Sequence, residues 1–257
     1  MIRGLQLSSQ GMIAQQKKQE NIANNIVNAN TNGYKKDQSV VGAKPEMFIH
    51  RLNDAVMETS FGRRDLMPGV GGLGTGTIVD ETFTNFTQGN IVQTDRNADL
   101  ALVGEGFFTV QQDGETFLTR DGEFNVDSQG NLVTNKGAFV LGQNGLINVG
   151  SDDFTVNEQG QIFVDNELVD SLDITGVENP NSMLKMGENL LQLTDDSVEV
   201  GANTIVKQNY LEQSNVNLGE EMVDMISTMR AYEANQKAIH TQDETLGKAV
   251  NEIAQLR

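Results

Sequence analysis

The stretch Leu218-Gly-Glu-Glu-Met222-Val-Asp-Met225-Ile-Ser-Thr-Met229-Arg-Ala-Tyr232-Glu-Ala-Asn-Gln236-Lys-Ala-Ile239-His-Thr-Gln-Asp243-Glu-Thr-Leu246-Gly-Lys-Ala-Val250-Asn-Glu-Ile253 decides the architecture. Its seam falls at Leu218, Met222, Met225, Met229, Tyr232, Ile239, Leu246, Val250 and Ile253, with Gln236 and Asp243 completing alternating steps of four and three. A repeat of 3.5 residues faces one partner along its whole length, so the pattern predicts a coiled-coil helix of about 36 residues. Asn217 with Glu220 three residues on marks the start, a capping box with Asn in place of Ser or Thr. At 1.5 Å per residue such a helix is ~54 Å long, beyond the face of a small β domain, so its seam is expected to meet other helices.

The N-terminal segment carries a weaker form of the same pattern. Leu5, Met12, Ile22 and Ile26 lie on one face, with Ala29, while Ser8, Gln15 and Gln19 interrupt it and Gly4 and Gly11 weaken it. Its end is expected at Thr31-Asn32-Gly33, where Gly33 can take the left-handed conformation of a C-cap and Lys35 and Lys36 lie near the negative end of the dipole. Residues 1–36 hold five basic side chains and one acidic, residues 210–257 four basic and eight acidic. Nets of +4 and −4 favour pairing of the two termini, although exposed pairs contribute only ~0.2–1 kcal/mol each.

Between the ends the chain is a different polymer. Short runs rich in Val, Ile, Leu, Phe and Thr alternate with glycine turns, and Gly114, Gly122, Gly130, Gly137 and Gly145 fall seven or eight residues apart. That spacing predicts an all-β domain of short hairpins, with Phe107, Phe117, Phe124, Phe139 and Phe163 in its core. Val126-Asp-Ser-Gln-Gly130 and Val156-Asn-Glu-Gln-Gly160 read as one turn used twice. The fold class is therefore mixed: an all-β central domain flanked by N- and C-terminal coiled-coil helices that pack together. The expected divisions are an assembly helix over 1–36, an extended glycine-rich connector over 37–80, the β domain over 81–185, a return connector over 186–210 and the C-terminal helix over 211–257. The β region is expected to fold without residues 1–36 and 210–257.

Composition narrows the function. The 257 residues carry 36 acidic and 18 basic side chains, and a net charge of −18 argues against nucleic acid as a partner. No cysteine is present, which excludes disulfides, thiolate metal sites and cysteine nucleophiles. No apolar run approaches the ~20 residues of a membrane span, and the first thirty residues lack a signal-peptide core, so neither membrane insertion nor a cleaved signal is expected. Gly69-Val-Gly71-Gly-Leu-Gly74 matches the dinucleotide fingerprint by letter, but Pro68 precedes it and the β-prone Thr75-Gly-Thr-Ile-Val79 follows, where a helix is required. His50 and His240 sit in separate segments without a ligand partner at metal spacing. The carboxylate neighbours Asp95/Asp99, Asp152/Asp153 and Asp195/Asp196 lack the EF-hand pattern and read as solvated loops. No catalytic, cofactor or metal residue is nominated. A secreted β-rich binding module or hydrolase with helical oligomerisation ends stands as the alternative to an assembly protein.

Three blocks resemble a known family, the axial proteins of the bacterial flagellum. The first is Asn21-Ile-Ala-Asn-Asn25-Ile-Val-Asn28-Ala-Asn-Thr-Asn32-Gly33-Tyr34-Lys35, similar to the Asn-rich motif that ends the family's N-terminal helix. The second comprises Phe86-Thr-Gln-Gly-Asn90, Asp99-Leu-Ala-Leu-Val-Gly-Glu-Gly-Phe-Phe108, Thr119-Arg-Asp-Gly122 and Gly130-Asn-Leu-Val133. The third is Leu211-Glu-Gln-Ser-Asn-Val-Asn217 with Glu221-Met-Val-Asp-Met-Ile226 and Arg230-Ala-Tyr-Glu-Ala-Asn235. Residues 39–70 depart from the usual rod sequence, and the length suits a rod subunit with a single β domain. The resemblance implies a structural subunit of the basal-body rod, exported through the flagellar type III apparatus without a cleaved signal. Its partners would be copies of itself and other rod and hook subunits. Its terminal helices would pack in inner layers around an export channel, and its β domain would form the outer layer of a torque-transmitting shaft.

Overall fold

The computed structural model describes residues 2–50, 56–59, 62–65, 69–151, 153–194, 197–201 and 204–255. An N-terminal helix, α1 (Ile2–Val27), and a C-terminal helix, α2 (Leu218–Gln255), bracket a β-rich middle. The chain divides into two compact bodies. One comprises Met1–Ala23, Gln38–Phe83 and Met222–Arg257; the other comprises Asn24–Asp37 and Thr84–Glu221.

In the first body the two helices lie against each other with the Gln38–Phe83 segment beside them. Residues 37–80, expected as an extended connector, are extended but paired. Asp37–Ala43 joins Thr77–Thr84, Met47–His50 joins Gly69–Leu73, and Val56–Thr59 joins Gly62–Asp65, three ladders of one long antiparallel hairpin. The backbone donors of an extended strand need partners, and a chain that doubles back supplies them from itself. The Gly69–Leu73 stretch of the false nucleotide motif is one of these strands. The two glycines inside α1 face side-chain amides of α2. A Cβ on Gly4 would lie 2.5 Å from Nε2 of Gln242, and one on Gly11 2.9 Å from Nδ2 of Asn235.

The second body holds the core. Its main sheet runs in the order Phe124–Val126, Leu132–Thr134, Phe139–Gly142, Phe107–Gln112, Glu115–Thr119, Leu190–Gln192, Leu184–Gly187, with Ile174–Val177 also on Phe107–Gln112. Phe108, Phe124, Phe154, Leu100, Leu132, Val140 and Ile162 are fully buried there, and the Phe108 and Phe124 rings meet edge to face at 5.1 Å. Phe107 and Phe117 are buried as expected, whereas Phe139 and Phe163 are half-buried. The repeated turn is one chemistry used twice. Asp127 Oδ1 accepts from the amides of Gln129 and Asn131 at 2.8 Å each, and Asn157 Oδ1 accepts from Gln159 and Gln161 at 3.1 and 2.9 Å. These bonds to the ionised form lower the carboxyl pKa of Asp127.

The proposed boundary at residue 210 cuts through this body. Ile205–Gln208 pairs with Leu100–Val103, and Tyr210–Glu212 pairs with Ile91–Gln93, so the return segment is sheet, and Leu211 and Glu212 are buried. Asp99 is another correction. It is buried beside Arg96 at 3.6 Å and is no solvated loop residue, while Asp95 is exposed; Asp152, Asp195 and Asp196 lie outside the described residues. No helix among the described residues is long and apolar enough to cross a membrane.

Candidate assembly joint

The Asn-rich motif and the residues before α2 meet in the second body, and each is positioned by local chain chemistry. Helix α1 ends at Val27, earlier than expected, because Asn28 and its neighbours take the backbone into turns. Asn28 Nδ2 donates to the Asn24 carbonyl at 2.9 Å, and Asn28 Oδ1 accepts from Thr31 at 3.2 Å. Gly33 has φ +68°, the left-handed conformation expected of it, and there is a second demand on it. A Cβ would lie 2.5 Å from the Asp121 amide nitrogen, so only glycine lets this loop reach the sheet. Its amide donates to the Glu212 carbonyl at 2.7 Å.

Asn25, fully enclosed, acts as a backbone surrogate. Its Nδ2 donates to the Asp37 carbonyl and its Oδ1 accepts from the Asp37 amide, both at 2.9 Å, so the last turn of α1 is held to the chain twelve residues on. Tyr34 Oη donates to the same Oδ1 at 3.2 Å, and Nδ2 also reaches Glu221 Oε2 at 3.3 Å. Burial, reinforced by the charges of Asp37 and Glu221, pushes the Tyr34 phenol up to about 12, so it stays a donor. Asn32 donates to Glu123 Oε2 at 2.9 Å, and its carbonyl accepts from Asn189 at 2.9 Å.

Behind this amide network lies a buried ionic cluster. Lys35 Nζ contacts Glu212 Oε1, and Arg120 Nε lies 3.4 Å from Glu212 Oε2. The three side chains are 4%, 1% and 5% exposed, which places one carboxylate between two cations with almost no water. Lys35 Nζ also donates to the Thr87 carbonyl at 2.9 Å, and the Gly89 amide donates to Glu212 Oε1 at 2.8 Å. Burial lowers the pKa of Lys35, with Glu212 opposing it, and lowers that of Arg120 for the same reason. Lys36 pairs with Glu221 at 3.1 Å, and its amide donates to Asn215, whose Nδ2 donates to the Asn85 carbonyl at 2.8 Å. Asn217 caps α2 as expected, its Oδ1 accepting from Gly219 at 3.1 Å.

Among the described residues, the opposite charges of the termini meet in the ion pairs Lys35–Glu212 and Lys36–Glu221. Glu212, Arg120 and Asn215 lie within the sequence blocks that resemble the family but had no role assigned to them. Arg120 and Glu212 each close a short β-prone run, Leu118-Thr-Arg120 and Tyr210-Leu-Glu212, and nothing along the chain marks either as buried. A cleft of about 510 Å³ opens beside the joint, and its polar walls bond to one another through Asn32–Glu123 and Lys136–Glu188.

The seam residues divide. Ile22 is buried; Leu5, Met12, Ile26, Met225, Tyr232, Ile239 and Leu246 are half-buried; Leu218, Met222, Met229 and Val250 are exposed. The side chain of Ile253 lies outside the described residues. The enclosed face of α2 runs through Glu221, Met225, Thr228, Tyr232, Asn235, Ile239, Gln242 and Leu246, again in steps of four and three but shared between apolar and polar groups.

The hydrogen bonds and ion pairs of the joint tie separate chain segments to one another. Comparison with known proteins identifies the assembly. Residues 5–35 match the family described as Flagella basal body rod protein, residues 101–164 the Flagellar hook protein FlgE/F/G D1 domain, and residues 207–252 the Flagellar basal body rod FlgEFG protein C-terminal. The flagellar basal-body rod protein FlgG of Buchnera aphidicola subsp. Acyrthosiphon pisum is 36% identical over 264 residues, covering 96% of this chain and 98% of that protein. FlgG of Borreliella burgdorferi is 36% identical over 267 residues, with 98% of each chain covered. The flagellar hook-basal body complex protein FlhO of Bacillus subtilis is 29% identical over 275 residues, spanning both chains in full. The chain belongs to the flagellar basal-body rod protein family and is a structural rod subunit of the bacterial flagellum. The alternative of a binding module or hydrolase gains no support from these relatives.

Proposed function

We propose that this subunit assembles through its terminal helices, using the outward half of the α2 seam against copies of itself and other rod and hook subunits. The observation that carries this reading is the exposed apolar set Leu218, Met222, Val223, Ile226 and Met229, with Val250 further along, on a helix whose opposite face is enclosed. Large apolar side chains clustered on one face of an otherwise charged helix lose water when they meet a partner, at ~1.5–3 kcal/mol for each side chain buried. In an assembled rod α2 would pack as a coiled coil with neighbouring helices. Contacts of this kind are heterologous, and repeating them without closure generates a helical shaft. The β-rich body would form the outer layer of a torque-transmitting shaft around the export channel, with the buried ionic cluster holding that body's own segments together under load. Delivery through the flagellar type III apparatus to an extracytoplasmic basal body completes the reading.

The test is Met229→Asp, which places a carboxylate in the outward stripe, against Ser227→Asp, an exposed position on the far side of the helix from Met229. Met229→Asp is expected to block rod incorporation and motility while the β-rich body keeps its melting temperature. Ser227→Asp should assemble as the parent does. Equal assembly of both variants removes the stripe from the interface. Ile239→Asp is the weaker probe, because Ile239 is half-buried on the enclosed face.

A further inference from the structure

Two features of the helix pair have no role in the joint or in the outward stripe. Glycine is the poorest helix former apart from proline, yet α1 carries it at positions 4 and 11, one heptad apart. Facing them on α2 are two large amide side chains, also one heptad apart. Gln242 lies over Gly4, where a Cβ would meet Nε2 at 2.5 Å and Oε1 at 3.0 Å; Asn235 lies over Gly11, where a Cβ would meet Nδ2 at 2.9 Å and Cγ at 3.3 Å. The contrast lies within α2 itself, where a Cβ on Gly247 would meet nothing within 4 Å.

The rest of α1 mixes half-buried Ser8, Gln15 and Lys18 with half-buried Leu5 and Met12 and buried Ala14 and Ile22, and apolar contacts of this kind are non-directional, so they hold the helices together without choosing one offset. A seam repeating every seven residues has one dominant error, a slip of one heptad, which keeps the same faces together and moves one helix by ~10.5 Å along the other. The glycines discriminate against that error. Sliding one way sets Gly11 under Gln242 but puts Lys18 under Asn235; sliding the other way sets Gly4 under Asn235 and carries Gln242 past the start of α1. The native alignment alone seats both amides over both glycines.

We propose that Gly4 and Gly11 are positioning residues that set the axial register of α1 on α2, with Gln242 and Asn235 as the teeth that read them. The proposal rests on the reading that the terminal helices form the assembly surface. A slip of ~10.5 Å displaces the contact stripe of one helix relative to the other in every subunit, which a repeating shaft cannot absorb.

The absence of cysteine in the chain makes the register directly measurable. Full-length protein carrying Ser8→Cys with Ala238→Cys reports the native register after treatment with a short bismaleimide. Ser8→Cys with Ala231→Cys, and Ser8→Cys with Thr245→Cys, report the two slips. In the parent background the native pair should give the dominant intramolecular product by mass. In Gly4→Leu/Gly11→Leu the native product should fall at least fivefold while a slipped pair rises, and Gly247→Leu should leave the distribution unchanged. A native product retained in the double leucine variant overturns the proposal, and so does a loss of native product with no slipped product gained. Rod incorporation separates this from the assembly reading. If Met229→Asp blocks incorporation while the double leucine variant incorporates in native register, the stripe stands and the register device falls.

Discussion

Replacing Glu212 by Gln tests the ionic joint most directly, because the amide keeps the carboxylate's shape. Through Oε1, Gln can still accept from Lys35 and from the Gly89 amide, while its NH2 replaces the oxygen that faces Arg120, so the change removes the charge and one acceptor. The side chains of Lys35, Arg120 and Glu212 are almost wholly buried, and the variant leaves two cations facing each other without their shared anion. Removing one partner of a buried pair costs about 3–5 kcal/mol, against ~0–1 kcal/mol at an exposed one. For a body of this size that corresponds to a fall in Tm of roughly 10 °C. The loss also carries a pH signature. Arg120 cannot shed its proton, but Lys35 can, since burial already holds its pKa below the usual 10.5 and Glu212 is what opposes that effect. A lysine whose folded pKa is depressed destabilises most while it is forced to stay charged, so the deficit of Glu212→Gln should be full near neutral pH and shrink as pH rises toward the ordinary lysine value. Urea unfolding followed by tyrosine fluorescence reads all of this, because Tyr34 stands in the joint and the chain has no tryptophan. Adding Lys35→Met to Glu212→Gln should recover about 2 kcal/mol relative to additivity. A deficit below about 1 kcal/mol, or one that is flat with pH and additive with Lys35→Met, would refute the view that charge compensation holds the joint.

Gly33→Ala should cost clearly more than Gly114→Ala in the same urea assay: both have positive φ, at about 1–2 kcal/mol for a side chain there, but only Gly33 also meets backbone at 2.5 Å. Asp121 is raised from 3.8 to about 6, first by burial and then by the charges of Glu123 and Asp99. Its contribution to stability is therefore complete below about pH 4 and lost as pH rises through 6, on the order of 3 kcal/mol in all, so Asp121→Asn should flatten the Tm profile in that window and raise Tm at pH 7. Deleting 1–23 and 222–257 and bridging Asp37 to Thr84 with Asn-Gly should leave a cooperatively melting body, since Thr84 Oγ1 already bonds Asp37 Oδ1 at 2.7 Å. Deleting 1–36 and 210–257 removes Lys35 and Glu212 and should abolish that transition; survival of the second deletion would show that the body does not need the joint.

What the sequence determined by itself was whatever depends on neighbours along the chain. The four-three periodicity of residues 218–253 specifies a long helix, Asn217 specifies where it starts, and the glycine spacing between 114 and 145 specifies short hairpins, because caps, turns and helix faces are satisfied within a few residues. The Asn-rich motif was legible as the end of α1, and its left-handed Gly33 with it. Tertiary structure alone decided which half of the seam is enclosed, since apolar letters mark Met229 and Met225 alike, and only a partner that offers Gly11 to Asn235 turns one face inward. It also decided that residues 37–80 pair with themselves, because a strand's register is fixed by the strand opposite. The Lys35, Arg120 and Glu212 cluster was out of reach for the same reason. Its members come from three separate segments, each reads alone as an ordinary charged residue, and burial, which gives the cluster its energy, is a property of the folded neighbourhood and not of any one letter.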